Sequence, residues 1–288
     1  MILNLDGEFV EPGKASVPVT DGAFLYGDSL FETMKARGSR ICFQEEHLDR
    51  LELSARLLVF PISRSRVREA LNATAERLHA PVSRLRLTLT RRDFSGPGLP
   101  TPGGGRFVIQ ARPYAEPSAA QRAAGALCVL APNRRVNPLS HLPQMKRGNY
   151  ADCLYALDHA RRRGAREALF VTPEGALLEG TTSNLFLVRD GVLLTPPAGD
   201  LVLAGILRRQ VLDAAARRDI PVRVEQVSLP DLYAAGEVFL TNALTGPLPV
   251  ANVEGRAVAR GDLAETLRRE VDRIASPGTA RTGPANRP

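Results

Sequence analysis

Two hydrophobic periods share the chain. Leu85, Leu87 and Leu89 alternate with Arg84, Arg86, Thr88 and Thr90, a period of two that predicts a strand. Phe107 to Ala111, beyond a loop rich in glycine and proline, is its expected partner. Met1 to Asn4 and Glu8 to Val10 flank Asp6-Gly7, a hairpin signal. Phe31 to Ala36 and Arg40 to Phe43 read as further strands joined through Gly38. Then the period lengthens. Glu45 to Leu58 carries Leu48, Leu51 and Leu58 at helical spacing. Ser63 or Ser65 stands where a second helix, running to about His79, needs a cap.

From Pro113 to about Gln121, Pro, Ser and Ala replace the periodic pattern, and we place a domain boundary there. The division gives a smaller N-terminal domain over 1–113, a linker over 114–124 and a larger C-terminal domain over 125–275. The second half predicts strands near Leu127 to Ala131, Ala168 to Thr172, Leu177, Leu185 to Arg189 and Val238 to Leu240. Helices fit Tyr150 to Arg163, Ile206 to Arg218 and Leu263 to Ile274. Glu174-Gly175 and Asp190-Gly191 supply hairpin turns. The fold class is therefore α/β (α+β), in two domains. Residues 276–288, rich in Pro, Gly, Ala and Thr, are expected to be a disordered tail.

Composition narrows the function. The 288 residues are 44% hydrophobic, enough for one or two cores. No stretch approaches the roughly 20 apolar residues of a membrane span, so no membrane partner is expected. The first residues lack the basic start of a secretory signal, so a cytoplasmic location is expected. The formal charge is +7, but the basic residues are dispersed and aromatics make up only 5%. That pattern predicts a pull on anionic metabolites and no nucleic-acid binding. Cys42, Cys128 and Cys153 form no CxxC pair, and the four histidines belong to no ligand set. No disulfide framework and no metal are expected. The 38 basic residues include only three lysines, Lys14, Lys35 and Lys146. Arginine stays protonated, so an amine nucleophile must come from these three or from the N-terminus.

Lys146 sits in HLPQMKRGNYADCLYALDHA, after a loop and before an apolar-periodic helix. A solvated helix-start lysine and a catalytic amine both suit that position. Tyr150 shares its face if the helix begins early enough. Glu179, in LLEGTTSNLFLV, lies between a strand and a Gly-Thr-Thr-Ser turn. It is either a surface carboxylate or one aimed at a ring nitrogen whose proton must be held. Gly205 opens a helix whose N–H groups suit a phosphate. Thr241-Asn242 places a hydroxyl and an amide at a strand end, and Arg50 lies in the early helix. Singly, each is equally a plain cap, turn or surface residue. Jointly, amine, carboxylate, helix N-terminus and hydroxyl are the parts a pyridoxal phosphate pocket requires. Gly103-Gly104-Gly105 matches no phosphate-loop motif and reads as a hairpin loop.

From about Asn4 to Ile274 the chain resembles the class IV, or fold-type IV, pyridoxal phosphate enzymes. These include branched-chain aminotransferases, D-amino-acid transaminases, R-selective amine transaminases and aminodeoxychorismate lyases. Lys146 to Val188 carries the most specific part: the lysine, an E-A-L-hydrophobe strand, a turn and an E-G-x-x-x-N-L-F ending. The resemblance implies two α/β domains with pyridoxal 5′-phosphate between them, the larger one binding it. It also implies a homodimer whose pockets take residues from both subunits. It makes Lys146 the Schiff-base lysine and Glu179 the carboxylate facing the pyridine nitrogen. Arg50, in EEHLDRL, and Thr241 become phosphate contacts. Gly205-Ile206-Leu207 becomes the helix-start phosphate loop, with Asn242 beside the cofactor. Tyr150 is placed near the ring oxygen, and Tyr26, in FLYGDSLFET, lines the active site.

Three places resemble the lyases: Thr33 after Phe31-Glu32, Leu207 within Ala204-Gly205-Ile206-Leu207-Arg208, and the Thr241 to Val250 loop TNALTGPLPV. They imply conversion of 4-amino-4-deoxychorismate to p-aminobenzoate and pyruvate. Lys146 would be the proton-transfer base, and Thr33 would position or protonate the departing group. The alternative is an aminotransferase with a branched-chain L-amino acid, D-amino acid or R-amine donor and a 2-keto acid acceptor. More remote is a non-catalytic metabolite-binding protein. The expected partner is a small amino substrate carrying carboxylate. One departure stands out. After the Leu85 strand the family commonly shows Arg-Gly and a further arginine, whereas here Arg92 replaces the glycine and no arginine follows until Arg106. Arg84, Arg86, Arg91 and Arg92 are the candidate substitutes, and if the strand continues, alternation puts only one of the last two on a given face.

Overall fold

The computed structural model describes residues 1–92 and 105–275. The first domain is built from β1 (Ile2–Leu5), β2 (Glu8–Phe9), α1 (Gly22–Tyr26), β3 (Ser29–Arg37), β4 (Arg40–Ile41), α2 (Gln44–Leu57), α3 (Arg64–Glu76), β5 (Val82–Thr90) and β6 (Arg106–Pro113). Its six-stranded sheet runs β2-β1-β6-β5-β3-β4. β3 and β5 pair antiparallel from Ser29↔Thr90 to Arg37↔Val82. The leucine alternation sends Leu85, Leu87 and Leu89 to one face, where they pack with Met34 and Ile109 and with Leu48, Leu51 and Leu71 of the covering helices. Burying such a side chain stabilises by roughly 1.5–3 kcal/mol. The opposite face of the same strands carries Phe31, Thr33, Arg84 and Arg86, with Thr33 directly across from Arg86.

The second domain follows as α4 (Ala119–Ala124), β7 (Ala126–Leu130), α5 (Ala151–Arg162), β8 (Glu167–Val171), β9 (Ala176–Gly180), β10 (Asn184–Arg189), β11 (Val192–Thr195), α6 (Ile206–Ala216), β12 (Val222–Val224), β13 (Val227–Ser228), α7 (Leu229–Ala234), β14 (Glu237–Asn242), β15 (Gly246–Val253), β16 (Arg256–Ala257) and α8 (Leu263–Ala275). Its ten-stranded sheet runs β12-β11-β10-β14-β15-β7-β8-β9-β13, with β16 on β15. β9 also pairs with β10, through Asn184↔Glu179, so β10-β14-β15-β7-β8-β9 closes into a ring. A closed ring leaves no open edge among its strands. Here the closing pair also delivers Glu179 to the mouth.

Several expectations need correction. The Pro113 to Gln121 connection runs into α4, whose N-terminus is secured by a capping box of Ser118 and Gln121. The Arg40 strand stops at Ile41, because Phe43 turns to φ 54° and α2 begins at Gln44. α5 begins at Ala151, so Lys146 stays in the preceding loop and does not share a helical face with Tyr150. The stretch expected as a loop over Thr241 to Val250 is the end of β14, a turn and most of β15. Asp93 to Gly98, Gly103, Gly104 and the tail 276–288 lie outside the described residues. Among the described residues no helix is long and apolar enough to cross a membrane.

Candidate active site

The Lys146 loop is pinned to β3. Phe31 N donates to Lys146 O at 2.9 Å, and Gly148 N donates to Ser29 O at 2.7 Å. A side chain at Gly148 would put its Cβ 2.0 Å from Ser29 Oγ and 2.9 Å from Gly27 O, so only glycine allows this approach. Lys146 Nζ lies 4.5 Å from the centre of the Phe31 ring and 5.9 Å from that of Tyr150. Lys14 pairs with Glu11 at 2.9 Å and Lys35 with Glu116 at 2.8 Å. Lys146 makes no ion pair among the described residues. Burial, then the nearby Arg50 cation, brings its ammonium down to about 8. That leaves an amine that turns neutral close to physiological pH, as a nucleophile or proton carrier needs.

Glu179 is buried at the end of β9, every oxygen occupied. Oε1 accepts from Arg135 Nε at 3.1 Å, while Oε2 accepts from Asn184 Nδ2 at 3.2 Å and Leu203 N at 3.0 Å. Burial raises its pKa, and Arg135 is the main opposing influence. Arg135 is itself held by Asp152 at 2.6 Å. Buried Glu167 organises the turn that follows. It accepts from the Thr181 hydroxyl, from Thr182 Oγ1 at 2.8 Å and from Ser183 Oγ at 2.9 Å. The Tyr150 hydroxyl donates to Thr181 O, and its ring meets Phe31 edge-on at 5.6 Å.

The far end of the cavity suits an anion. Gly205 is the N-cap of α6 and offers no capping side chain, so the first N–H groups of an 11-residue helix are open to a ligand. A Cβ at Gly205 would sit 1.9 Å from Asn184 Oδ1. Arg50 reaches the same place, donating to Ala204 O at 2.9 Å. The Thr241 hydroxyl is buried with no hydrogen-bond partner among the described residues. A helix N-terminus, an arginine and an orphaned hydroxyl fit a phosphate group, and Glu179 and Lys146 fit the ring and aldehyde of pyridoxal phosphate.

One cavity of about 420 Å³ collects these groups. Lys146, Tyr150, Glu179, Arg50, Thr241 and Asn242 all line it, as do Gly205, Ile206 and Leu207. Thr33, Arg84 and Arg86 line it from the first domain. Tyr26, Arg91 and Arg92 do not. Tyr26 ends α1 and is 63% exposed. β5 ends at Thr90, so the alternation that would have aimed Arg91 or Arg92 inward no longer applies. Arg91 folds back onto Phe60, 3.7 Å away, pairs with Asp28 at 2.7 Å and donates to the Leu58 and Val59 carbonyls. Arg92 takes φ 73° and pairs with Asp6 at 2.8 Å.

Sequence reasoning missed Arg135, His47 and Arg161, which also line the cavity. His47 had a signal, three residues before Arg50 on one helix face. Arg161 continues the Tyr150, Leu154, Leu157 stripe of α5. Arg135 lies in a loop and had none.

The family model for amino-transferase class IV matches residues 29–253. The branched-chain-amino-acid aminotransferase of Escherichia coli is 30% identical over 274 residues, covering 92% of this chain and 88% of the relative. A solved structure of the Escherichia coli branched-chain amino acid aminotransferase superposes with a TM-score of 0.87 at 27% identity, covering 98% of this chain and 96% of that one. A bifunctional aminodeoxychorismate lyase / D-amino acid transaminase of Mycobacterium tuberculosis is 29% identical over 287 residues, 94% of this chain and 98% of its own. The solved 4-amino-4-deoxychorismate lyase of Pseudomonas aeruginosa gives a TM-score of 0.83 at 27% identity, covering 94% and 98%. The chain belongs to the class IV aminotransferases, pyridoxal-phosphate-dependent enzymes of fold-type IV.

Proposed function

We propose that the chain is an aminodeoxychorismate lyase, releasing p-aminobenzoate and pyruvate from 4-amino-4-deoxychorismate. The observation that carries this reading is a set of cations without acids. Arg84, Arg86 and Arg161 line the cavity and make no ion pair among the described residues. Half-buried Arg86 lies 3.9 Å over the Phe31 ring and donates only a 3.3 Å bond to Thr88 Oγ1. Burial, then Arg84, lowers its pKa, so a bound carboxylate would relieve both. The lyase substrate carries two carboxylates, one on the ring and one on the enolpyruvyl group. A branched-chain donor carries one carboxylate and an apolar side chain, and it would leave two arginines unmatched.

When bound, pyridoxal phosphate supplies a sink for the electrons left as the carbon bearing nitrogen loses its proton. Lys146 Nζ takes that proton and can return it. Glu179, clamped by Arg135, holds the proton on the ring nitrogen. Thr33 Oγ1 donates toward the departing enolpyruvyl oxygen, and Arg86, directly across the sheet, orients the carboxylate. The substrate loses one proton and an enolpyruvate that becomes pyruvate, its ring turns aromatic, and no keto acid is consumed. We further propose that the enzyme is a homodimer. Phe24, Leu25 and Tyr26 of α1, exposed by 70%, 47% and 63%, support it.

Aminotransferase activity is the second reading, favoured by the similarity to the Escherichia coli enzyme. The same Lys146 proton transfer serves both. The test is to supply aminodeoxychorismate without any keto acid and follow both products. Equimolar p-aminobenzoate and pyruvate over many turnovers, lost in Lys146→Ala, supports the lyase. Cofactor-loaded protein that releases neither overturns it.

A further inference from the structure

His47 and Arg50 stand three residues apart on α2, so their side chains share a face. Both reach Glu32, which points to the helix side of β3. Arg50 grips it with two bonds, Nε to Oε1 at 2.8 Å and Nη2 to Oε2 at 2.6 Å. His47 Nδ1 lies 2.7 Å from the same Oε2. Burial raises the Glu32 pKa, but Arg50 and His47 outweigh it and hold it down to about 2. An ionised carboxylate can only accept, so Nδ1 carries the hydrogen and Nε2 is the unused end of the ring. Nε2 is buried without a hydrogen-bond partner among the described residues, on a residue that is 1% exposed and lines the cavity.

The charge count beside α6 gives that nitrogen a purpose. Arg50 is already neutralised by Glu32. A phosphate monoester brings roughly −1.5 to −2 charges. A helix N-terminus answers with about half a positive charge. Something else must match the remainder, and His47 Nε2 and Thr241 Oγ1 are the two fully buried polar atoms on this cavity that lack a hydrogen-bond partner among the described residues. The geometry points to His47 as a phosphate-binding residue. Its Nε2–H donates to the cofactor's phosphate, and the ring takes up the proton this requires as the phosphate binds.

The groups facing the imidazole are Glu32 from β3, Arg50 from its own helix and Lys146 from the pinned loop. Without phosphate, burial keeps His47 below its ordinary value; Glu32 opposes that, and Arg50 and Lys146 add to it. The ring is then neutral at physiological pH. A dianion against Nε2 favours the charged form instead, so the pKa rises on binding. Protons are taken up between the two values, and phosphate affinity falls as pH climbs through the higher one. This inference rests on cofactor binding at the cavity and holds for a lyase or an aminotransferase alike.

The test is calorimetric titration of the apo chain with pyridoxamine 5′-phosphate at pH 7.5, in buffers of different ionisation enthalpy. Unphosphorylated pyridoxamine is the control. Uptake of about one proton is expected with the phosphorylated ligand and no matching uptake with the control. His47→Gln should abolish the uptake and weaken the phosphorylated ligand about tenfold, with pyridoxamine unaffected. Imidazole resonances of histidine-labelled wild-type protein give the answer without a variant, with His47→Asn for assignment. An imidazolium at His47 in the loaded chain supports the proposal. A neutral ring there, or an unchanged proton count in His47→Gln, overturns it.

Discussion

The two walls of the cavity treat charge in opposite ways. Around Glu179, on β9 and its neighbours, the acids and bases match. Glu179 meets Arg135, Arg135 meets Asp152, and Glu167 satisfies three hydroxyls of one turn. On the wall from β3 and β5, Arg84 and Arg86 face inward with no ion-pair partner among the described residues, and Arg161 joins them from α5. The difference teaches what each wall is for. Matched groups are rigid and suit a resident cofactor. Unmatched cations repel one another until an anion arrives, which suits a substrate that comes and goes.

The largest test removes the group between the walls. Lys146→Ala should cost at least about 10³-fold in turnover, since it removes both amine and proton carrier. The same variant should still bind pyridoxamine 5′-phosphate, because the anion end is untouched. Next comes the matched wall. Arg135→Gln should lower kcat about 10²-fold. It should also lower the melting temperature, because a broken buried pair costs about 3–5 kcal/mol. Its pH profile carries the sign. Burial raises the Glu179 pKa and Arg135 opposes it, so without Arg135 the carboxylate protonates at higher pH and activity fails earlier on acidification.

The unmatched wall should respond in binding. Arg86→Gln should reduce kcat/KM about 10-fold to 100-fold, mostly through KM, with the melting temperature held or raised. If it unfolds the protein instead, the contrast between the walls fails. The smallest effect on activity is expected at Arg91, which is buried but outside the cavity. Arg91→Gln should lower the melting temperature and leave KM unchanged, as checked by calorimetry and steady-state kinetics.

How legible each wall was in the sequence follows from the range of its contacts. Lys146 and Glu179 sit in one continuous stretch whose order and spacing carried them. Arg135 acts through partners 17 and 44 residues away, and no local pattern marks such a pairing. The leucine alternation placed β5 and aimed Arg84 and Arg86 correctly. For Arg91 and Arg92 the alternation held only if the strand continued, and a period says nothing about where a strand stops; this one stops at Thr90. The alternating Leu85 strand and the Glu45 helix were readable from side-chain spacing. The ring closed by Asn184 and Glu179 was not, because strand order depends on contacts the chain makes only when folded.

The most direct measurement is a head-to-head partition on one cofactor-loaded preparation. Aminodeoxychorismate alone competes with a branched-chain or D-amino donor plus 2-oxoglutarate, and products of both reactions are counted. The account predicts p-aminobenzoate and pyruvate in equal amounts, with kcat/KM for that reaction exceeding that for amino transfer. Amino transfer to the keto acid with no p-aminobenzoate would contradict it, and the inward arginines would then need a different anion.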